Sequence, residues 1–512
     1  MRTPPASWFS RAALIAAGAL FLAAPLAEAL AQTTPAATPV RTPPGAARAA
    51  RPAANPPVPM PAGPRTLSEA LAAAYANHPS LQAARARLRA VDESVPQALA
   101  GWRPTVTVGG SAGYAQGNTV ARTAAAPAGA GARRVMESTP FSRDIGTANA
   151  TITQPLYRGG RTRASTNQAE NRVMAERARL IGAEQAVFAE TVLAFVNVIQ
   201  TQQILALNIN NEQVLARQLQ ATQDRFRVGE ITRTDVAQAE AALAQATAQR
   251  QTAEGNLAVA RAAFARQVGA QPNDLVPPQP LRLPVRTVQE AAAIAGSNNP
   301  SVVAALFDDA AAKDAIDVAF SALMPQFSLQ ATASHATNAL QPHTRQNQGQ
   351  VLATLTVPLY QGGSEYSAVR QARQTQQQTR RLVDDARRAA IQLATEAWER
   401  LGTARATVES TRAAIRANRI ALEGVTREAL VGSRTTLDVL NAQQAVLNTE
   451  VQLVQNLAAY VNASYLVMAA IGRLTARDLN IAVPLYDEKA YYNAVRDRWA
   501  GTGDYATEQP GR

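Results

Sequence analysis

The stretch QPLYRGG at Gln154–Gly160 returns as VPLYQGG at Val357–Gly363, 203 residues later. A proline ends the hydrogen-bond ladder of a strand because it has no amide proton to donate. Two consecutive glycines let the backbone adopt positive φ angles and change direction. The motif therefore predicts a strand that ends and swings into a helix, and its repetition predicts two such junctions. The junction residues are Pro155, Tyr157, Gly159, Gly160, Pro358, Tyr360, Gly362 and Gly363.

The rest of the chain is duplicated as well. TLSEALAAAYANHPSLQAA from Thr66 matches TVQEAAAIAGSNNPSVVAA from Thr287, at an offset of 221 residues. VGEITRTDV from Val228 matches VGSRTTLDV from Val431, at an offset of 203. Such internal repeats decide the architecture of a chain. The change of offset places 18 extra residues in the first copy, and we expect a free loop there, within ARTAAAPAGAGARRVMES.

Four segments before these junctions alternate between apolar and uncharged polar residues, which predicts two β-hairpins with strands of about ten residues. The apolar positions are Val106, Val108, Ala112, Tyr114, Ala148, Ala150 and Ile152 in the first copy, and Phe327, Leu329, Ala331, Ala333, Val351, Ala353, Leu355 and Val357 in the second. Strands of a membrane β-barrel have this pattern, with apolar residues toward lipid and polar residues toward the lumen. A soluble two-sided sheet gives the same alternation, so the strands alone leave both possibilities open.

The remaining ordered sequence is rich in Ala, Gln, Arg and Leu, which predicts long helices. We expect helices over Thr66–Ala100, Arg161–Arg227, Asp235–Gly269, Thr287–Ala322, Ser364–Leu430 and Asp438–Ile471. In each copy the two shorter helices together match the longer one, so the simplest geometry places them end to end along a rod of ~100 Å. The helix after Asp235 carries a heptad seam with small residues at one position, which is typical of close coiled-coil pairing. Its seam is Val236, Leu243, Arg250, Leu257 and Phe264 with Ala239, Ala246, Ala253 and Ala260.

The first 65 residues are expected to lie outside this architecture. Residues 1–31 have the basic start, the apolar core and the small-residue cleavage site of a secretory signal, and residues 32–65 form a Pro/Ala-rich leader that cannot bury a core. A membrane anchor is the weaker alternative, because the apolar run is short and is interrupted by Pro25. No later stretch approaches eighteen apolar residues without charges, so we expect no membrane-spanning helix in the mature chain.

The composition disfavours several classes of function. The chain has no cysteine and three histidines, and it has no nucleophile motif or phosphate-binding loop, so we expect no catalytic site, no cofactor and no metal. The net charge of +12 is spread among acids with few aromatic residues, so no nucleic-acid partner is expected.

Taken together, the paired motifs resemble the TolC-like outer-membrane efflux proteins. They are NHPSL in the first helix, the two PLY-x-GG junctions, and VGEITRTDV and VGSRTTLDVLNAQ at the helical turns, and they cover about Thr66–Leu474. The resemblance implies a mainly α fold with membrane β. Three chains would form a twelve-stranded barrel, four strands each, continuing into a twelve-helix coiled-coil periplasmic tunnel.

The expected boundaries follow from the repeats and the resemblance. They are a signal peptide (1–31), a leader (32–65), a first repeat (66–270), a linker in the equatorial region (271–286), a second repeat (287–473) and a C-terminal equatorial segment with a tail (474–512).

The function implied by the resemblance is an exit duct in the outer membrane, serving a tripartite efflux or type I secretion system. Its partners would be a periplasmic adaptor, an inner-membrane pump of RND or ABC type, the outer-membrane lipid and two further copies of the chain. A periplasmic coiled-coil adaptor or scaffold is the alternative. It would also be exported, but it should carry lipoyl-like or barrel domains and few amphipathic hairpins.

The turns that end the two long helices are the candidate gate. Gly229 and Gly432 allow the tight reversal of the chain, and Asp235 and Asp438 lie near the start of the return helices, where an acid can simply cap the helix. The resemblance implies more for these acids. Thr234 and Asp235 would be partners of Arg434, and Asp438 would face the tunnel constriction as an acidic ring.

The same turns would dock the adaptor, through Val228, Gly229, Val431 and Gly432. Two positions depart from the best-known family pattern: Ala429 stands where that pattern has a gating tyrosine, and Asn441 replaces a second acid. These departures predict a constriction that is less negative or differently latched.

Overall fold

The structure, a computed structural model, describes residues 63–124, 134–339 and 343–503. The predicted signal peptide, nearly all of the leader and the end of the tail lie outside the described residues. The described chain divides into a β unit, made of Trp102–Tyr157 and Pro325–Thr356, and a helical unit that holds the remainder.

The β unit is one antiparallel sheet. Strands β1 (Thr105–Ala124) and β2 (Arg134–Arg158) form the first hairpin, and β3 (Gln326–Thr337) and β4 (Arg345–Thr356) form the second. Their order in the sheet is β1-β2-β3-β4, so β1 and β4 are its edges. The two predicted hairpins are thus confirmed.

The apolar and polar residues of this sheet lie on opposite faces, as their alternation predicted. Val106 pairs with Ile152, and Phe327 pairs with Leu355, on the apolar face. On the polar face, the hydroxyl of Ser111 lies 2.7 Å from that of Thr147. Nothing within the described chain covers the apolar face: Val108, for example, is 82% exposed. A sheet of this kind needs an apolar surrounding, or partner chains, to bury that face.

The 18-residue segment in which the sequence suggested a free loop is paired at both of its ends. The β1–β2 ladder continues to Ala124 opposite Arg134, so β1 has 20 residues where β3 has 12. The first hairpin is therefore longer by about eight residue pairs, roughly 26 Å of strand. Residues 125–133, between the two strands, lie outside the described residues. Within the extension, Phe141 covers the space that a side chain at Gly117 would fill, and this favours continued pairing.

The helical unit contains the long helices at the predicted places. Its α-helices are α1 (Leu67–Asn77), α2 (Pro79–Asp92), α3 (Ser94–Leu99), α4 (Arg161–Arg227), α5 (Arg233–Val268), α6 (Val288–Asn298), α7 (Pro300–Phe320), α8 (Ser364–Leu430), α9 (Thr436–Ala470) and α10 (Ala490–Val495). Helices α4 and α8 are each 67 residues long, with the bounds expected from the sequence.

The first predicted helix of each copy is instead broken. His78 and Asn299 adopt extended backbone angles because each precedes a proline. Each then caps the next helix: His78 Nδ1 accepts a hydrogen bond from the Ser80 amide at 3.3 Å, and Asn299 Oδ1 accepts one from the Ser301 amide at 3.0 Å. Asn299 is the counterpart of His78 in the second copy, so the same helix cap occurs at equivalent positions of both repeats.

Short helices pack along the long ones as the matched lengths predicted. Helix α4 contacts α1, α2 and α3 and, farther along, α5, while α8 contacts α6, α7 and α9. The two copies meet where α7 packs on both α4 and α8 and where α9 packs on α4. The heptad alanines of α5 are buried, and Phe188, Phe195 and Phe264 form the fully buried centre.

Helix α4 bears on the expectation that no helix of the mature chain spans a membrane. Helix α4 contains an 18-residue window with a mean hydropathy of 1.4, which is long and apolar enough to cross a membrane by length and composition. In this fold, part of α4 supplies Phe188, Val192 and Phe195 to the core of the helical unit.

Candidate gate at the two helical turns

Two turns reverse the chain at the ends of the long helices. The first turn (residues 228–232) joins α4 to α5, and the second turn (residues 431–435) joins α8 to α9. Beyond the turns, Leu215 of α4, Ala246 of α5 and Leu440 of α9 form a small buried cluster. This cluster ties the two helical pairs together close to their turns, so the two turns lie at the same end of the bundle.

Glycine makes each reversal possible. Gly229 and Gly432 have φ angles of +81° and +79°, in the left-handed region that favours glycine. The residue after each glycine closes the end of the helix: the Glu230 amide donates to the Arg225 carbonyl at 3.0 Å, and the Ser433 amide donates to the Glu428 carbonyl at 3.0 Å. These bonds satisfy carbonyls that a helix end would otherwise leave without partners.

Each return helix begins with a capping box. The hydroxyl of Thr232 donates to Asp235 at 2.7 Å, and the hydroxyl of Thr435 donates to Asp438 at 2.8 Å. The Thr435 amide also donates to the Asp438 carboxylate, and these bonds hold the pKa of Asp438 below its usual value of 3.8. The capping role weighed for both acids is therefore present in the structure, and both side chains remain half-buried.

An ion pair links the end of each long helix to its turn, with the charges reversed between the copies. In the first turn, Arg225 Nε lies 2.8 Å from Glu230 Oε2. In the second turn, Arg434 Nε lies 2.9 Å from Glu428 Oε2, and this contact raises the pKa of Arg434. Arg225 and Glu428 occupy equivalent positions at the repeat offset of 203.

Sequence reasoning selected Arg434 but missed Arg225, Glu230 and Glu428. The signal was available: an opposite charge stands five or six residues from each partner, on either side of a glycine turn. Within the described chain, Arg434 makes no hydrogen bond or ion pair with Thr234 or Asp235. The predicted latch between these residues therefore remains a prediction about contacts between chains or about another state of the turns.

Apolar side chains project from both turns. Val228 is 76% exposed and Val431 is 80% exposed, and Leu430 and Phe226 beside them are also exposed. These four exposed apolar side chains lie at the end of the bundle that carries the two glycine turns. This is a surface on which a partner can bury apolar area.

The strand-to-helix junctions have the backbone that the glycine pairs predicted. Gly159, Gly160, Gly362 and Gly363 all have positive φ angles, and α4 and α8 begin directly after them. At Gly159 a side chain would also collide with Met324 and Ser321.

The junction prolines behave differently in the two copies. The β1–β2 ladder ends at Thr153 and β4 ends at Thr356, each two residues before the proline, but β2 itself continues through Pro155 to Arg158. Pro155 thus ends the hairpin pairing without ending the strand. Tyr157 and Tyr360 are both exposed, and Leu359 beside Tyr360 is exposed as well.

A family model described as "Outer membrane efflux protein" matches residues 70–270 and 292–473, which are the two repeats. The outer membrane efflux protein BepC of Brucella suis biovar 1 (strain 1330) is 35% identical over 437 residues, covering 85% of this chain and 91% of BepC. The chain belongs to the outer membrane efflux protein family.

Solved structures give the same fold for this family member. The Campylobacter jejuni CmeC outer membrane channel matches with a TM-score of 0.67 at 16% identity, over 84% of this chain and 89% of that one. CusC matches with a TM-score of 0.68 at 15% identity, over 82% and 98%. The expected TolC-like fold is thus confirmed.

Membership in the outer membrane efflux protein family decides between the two functions left open above. The family consists of efflux channels of the outer membrane, which work with pumps and adaptors as homotrimers, and it is not an enzyme family. The scaffold alternative is therefore set aside. Among the described residues, no group of three or more His, Cys, Asp and Glu side chains could hold a metal ion.

Proposed function

We propose that this chain is the outer-membrane exit duct of a tripartite efflux or type I secretion system, which receives its substrate from an inner-membrane pump of RND or ABC type through a periplasmic adaptor. The observation that carries the proposal is the four-stranded sheet, whose apolar face is uncovered and whose edges β1 and β4 are unpaired within the chain. In lipid an open sheet edge is not tolerated, because its amide and carbonyl groups have no water to bind.

Closing the sheet requires further copies of the chain. Pairing β4 of one copy with β1 of the next, three times, gives the twelve-stranded barrel expected of a homotrimer. The helical unit supports the same arrangement. Helix α8 packs chiefly on α6, α7 and α9 of the second repeat, and α5 packs chiefly on α4, so each leaves one flank for a neighbouring copy. A head-to-tail contact of this kind closes into a ring.

Gating is assigned to the two turns. In the closed state, Arg434 of one helical pair binds Thr234 and Asp235 of a neighbouring pair, and Asp438 faces the constriction. Because Arg434 also has Glu428 within its own turn, at 2.9 Å, it has an alternative partner when the neighbouring pair moves away. When the gate opens, Arg434 exchanges one acidic partner for another, so its guanidinium keeps an ion pair in both states.

The adaptor is assigned to the outer surface of the same turns, through Val228, Gly229, Val431 and Gly432. The exposed valines supply apolar area, and the glycines, which have no side chain, leave the backbone accessible.

Because the chain has no cysteine, a single cysteine at Val431 carries a unique photo-crosslinker in living cells. We expect the labelled protein in the outer-membrane fraction as a trimer, crosslinked to a periplasmic adaptor that mass spectrometry identifies. A matched cysteine at Gly402, in the middle of α8 with open space around it, should give no adaptor crosslink. Absence from the outer membrane would refute the duct. Equal crosslinking from both positions would refute the docking site while leaving the duct in place.

A further inference from the structure

The C-terminal strap (residues 474–498) crosses the first repeat and packs beside a buried acid, Asp92. At its start, the Ala476 amide donates to the Glu184 carboxylate at 2.6 Å. Farther on, the Tyr486 amide donates to the Tyr75 hydroxyl at 2.9 Å, and the Tyr491 hydroxyl donates to Glu93 at 2.9 Å. Val495, in α10, is fully buried. The strap therefore fastens α1, α2 and α4 to the end of the chain.

Asp92, the last residue of α2, lies beneath this docking site without a partner. Its residue exposure is 1%, and neither carboxylate oxygen has a hydrogen bond in the structure. A carboxylate at the C-terminal end of a helix also faces the negative end of the helix dipole. An ionised carboxylate is costly to bury without partners, whereas the neutral acid is tolerated far better.

The neighbouring charges leave this acid uncompensated. Arg89 and Glu93 are close to it in the chain, Arg177 reaches it from α4, and Glu488 and Tyr486 reach it from the strap. Arg177 makes no hydrogen bond or ion pair with Asp92: its guanidinium lies 5.3 Å from the ring centre of Tyr492, and its buried Nε has no hydrogen-bond partner. Burial therefore dominates and raises the pKa of Asp92 to about 7, against the smaller lowering by Arg177.

We infer that Asp92 is a proton-operated catch for the C-terminal strap: the neutral acid accepts the docked strap, and its ionised form drives residues 486–496 off α2 and α4. This device is separate from the turns and is independent of the duct assignment.

The sign of the effect follows from the two states of Asp92. When the strap lifts, Asp92 meets water and its pKa returns toward 3.8; when the strap docks, the value is about 7. Between these values the open state gains stability as pH rises, and above about 7 the effect levels off. These two values give an opening equilibrium about tenfold larger at pH 8 than at pH 6.

Hydrogen exchange followed by mass spectrometry on the full-length protein tests this. We expect the protection factors of peptides covering residues 486–498, corrected for the intrinsic pH dependence of exchange, to fall about tenfold from pH 6 to pH 8 and then to remain level. Asp92→Asn should abolish the fall, because the amide cannot ionise. Asp497→Asn, an exposed acid of the strap, should retain it.

Three outcomes would overturn the catch. They are wild-type protection that is equal at pH 6 and pH 8, a fall that persists in Asp92→Asn, and a fall that continues above pH 8, where tyrosines would be responsible. If the variant fails to fold, the wild-type titration alone can still overturn the catch, by showing equal protection at pH 6 and pH 8 or a fall that continues above pH 8.

Discussion

Replacing Gly432 by alanine should loosen the second turn by a defined amount. Gly432 has a φ of +79°, and a Cβ built there meets no atom within 4 Å. The substitution therefore causes no collision, and its whole cost is that of placing an alanine in the left-handed region, about 1–2 kcal/mol. Since 1.4 kcal/mol corresponds to a factor of ten, the turn should open about 5- to 30-fold more often.

The chain offers a matched control in Gly424, eight residues earlier. A Cβ there also meets no atom within 4 Å, but Gly424 lies inside α8 with ordinary helical geometry. Alanine at that position should stabilise the helix by roughly 0.5–1 kcal/mol. The two substitutions add the same methyl group to open space, so only the backbone angle separates them.

The assay is hydrogen exchange of peptides spanning residues 425–440 in the purified full-length protein. Gly432→Ala should exchange about 5- to 30-fold faster at the turn, and Gly424→Ala should exchange at the wild-type rate or more slowly. If Gly432→Ala leaves exchange unchanged while Gly424→Ala behaves as expected, the positive φ angle does not limit this turn, and the reasoning about both glycine turns fails.

Further predictions concern the latch, the acid and the junctions. Arg434→Ser should raise the conductance of the reconstituted channel, because Glu428 and the neighbouring helical pair lose their shared cation. Arg427→Ser should leave the conductance unchanged, because its partner Glu423 lies in the same helix. Equal conductance of the wild type and both variants would refute the latch. Because the pKa of Asp438 is lowered from 3.8, its stabilising contribution is complete above that value and is lost as pH falls through the folded-state pKa. Exchange at the second turn should therefore accelerate on acidification below about pH 4 in the wild type and stay flat in Asp438→Asn. Gly159→Ala should lower the yield of folded protein more than Gly362→Ala. A Cβ at Gly159 would lie 2.5 Å from Met324 Cβ and 2.8 Å from the Ser321 carbonyl oxygen, whereas a Cβ at Gly362 meets no atom within 4 Å. Equal yields of the two variants would contradict the close packing at the first junction.

Much of the fold was predictable because the same sequence motifs occur in both repeats. Repetition of the glycine pairs and of the turn motifs fixed both ends of α4 and α8 to the residue. The helix breaks were missed, although NHP and NNP carry their own signal: the residue before proline is forced out of the helical region and caps the next helix. The prediction followed the helical pattern of the whole segment, whereas in the structure the restriction on the residue before proline breaks the helix.

The long first hairpin was harder to predict. Its extra segment is rich in Ala, Gly and Arg, which reads as a loop in a composition-based argument. Pairing is a property of two segments together, however, and Gly117 is compatible with a strand because Phe141, opposite it, fills the missing side-chain volume. A single-segment pattern does not contain that information.

The ion pairs at the turns follow from a different cause. Duplication preserved the geometry of the two turns, including both capping boxes, yet it exchanged the signs of the pair that joins each long helix to its turn. The ends of the two long helices therefore carry opposite charges at one pair of equivalent positions, Arg225 and Glu428, so neighbouring helical pairs can attract each other without any change of fold. All of these groups are exposed, and exposed ion pairs are individually weak and screened by salt. The closed state of this end of the bundle must therefore depend on many such ion pairs around a ring of copies. Modest changes at one turn are then enough to shift the equilibrium between the closed and open states.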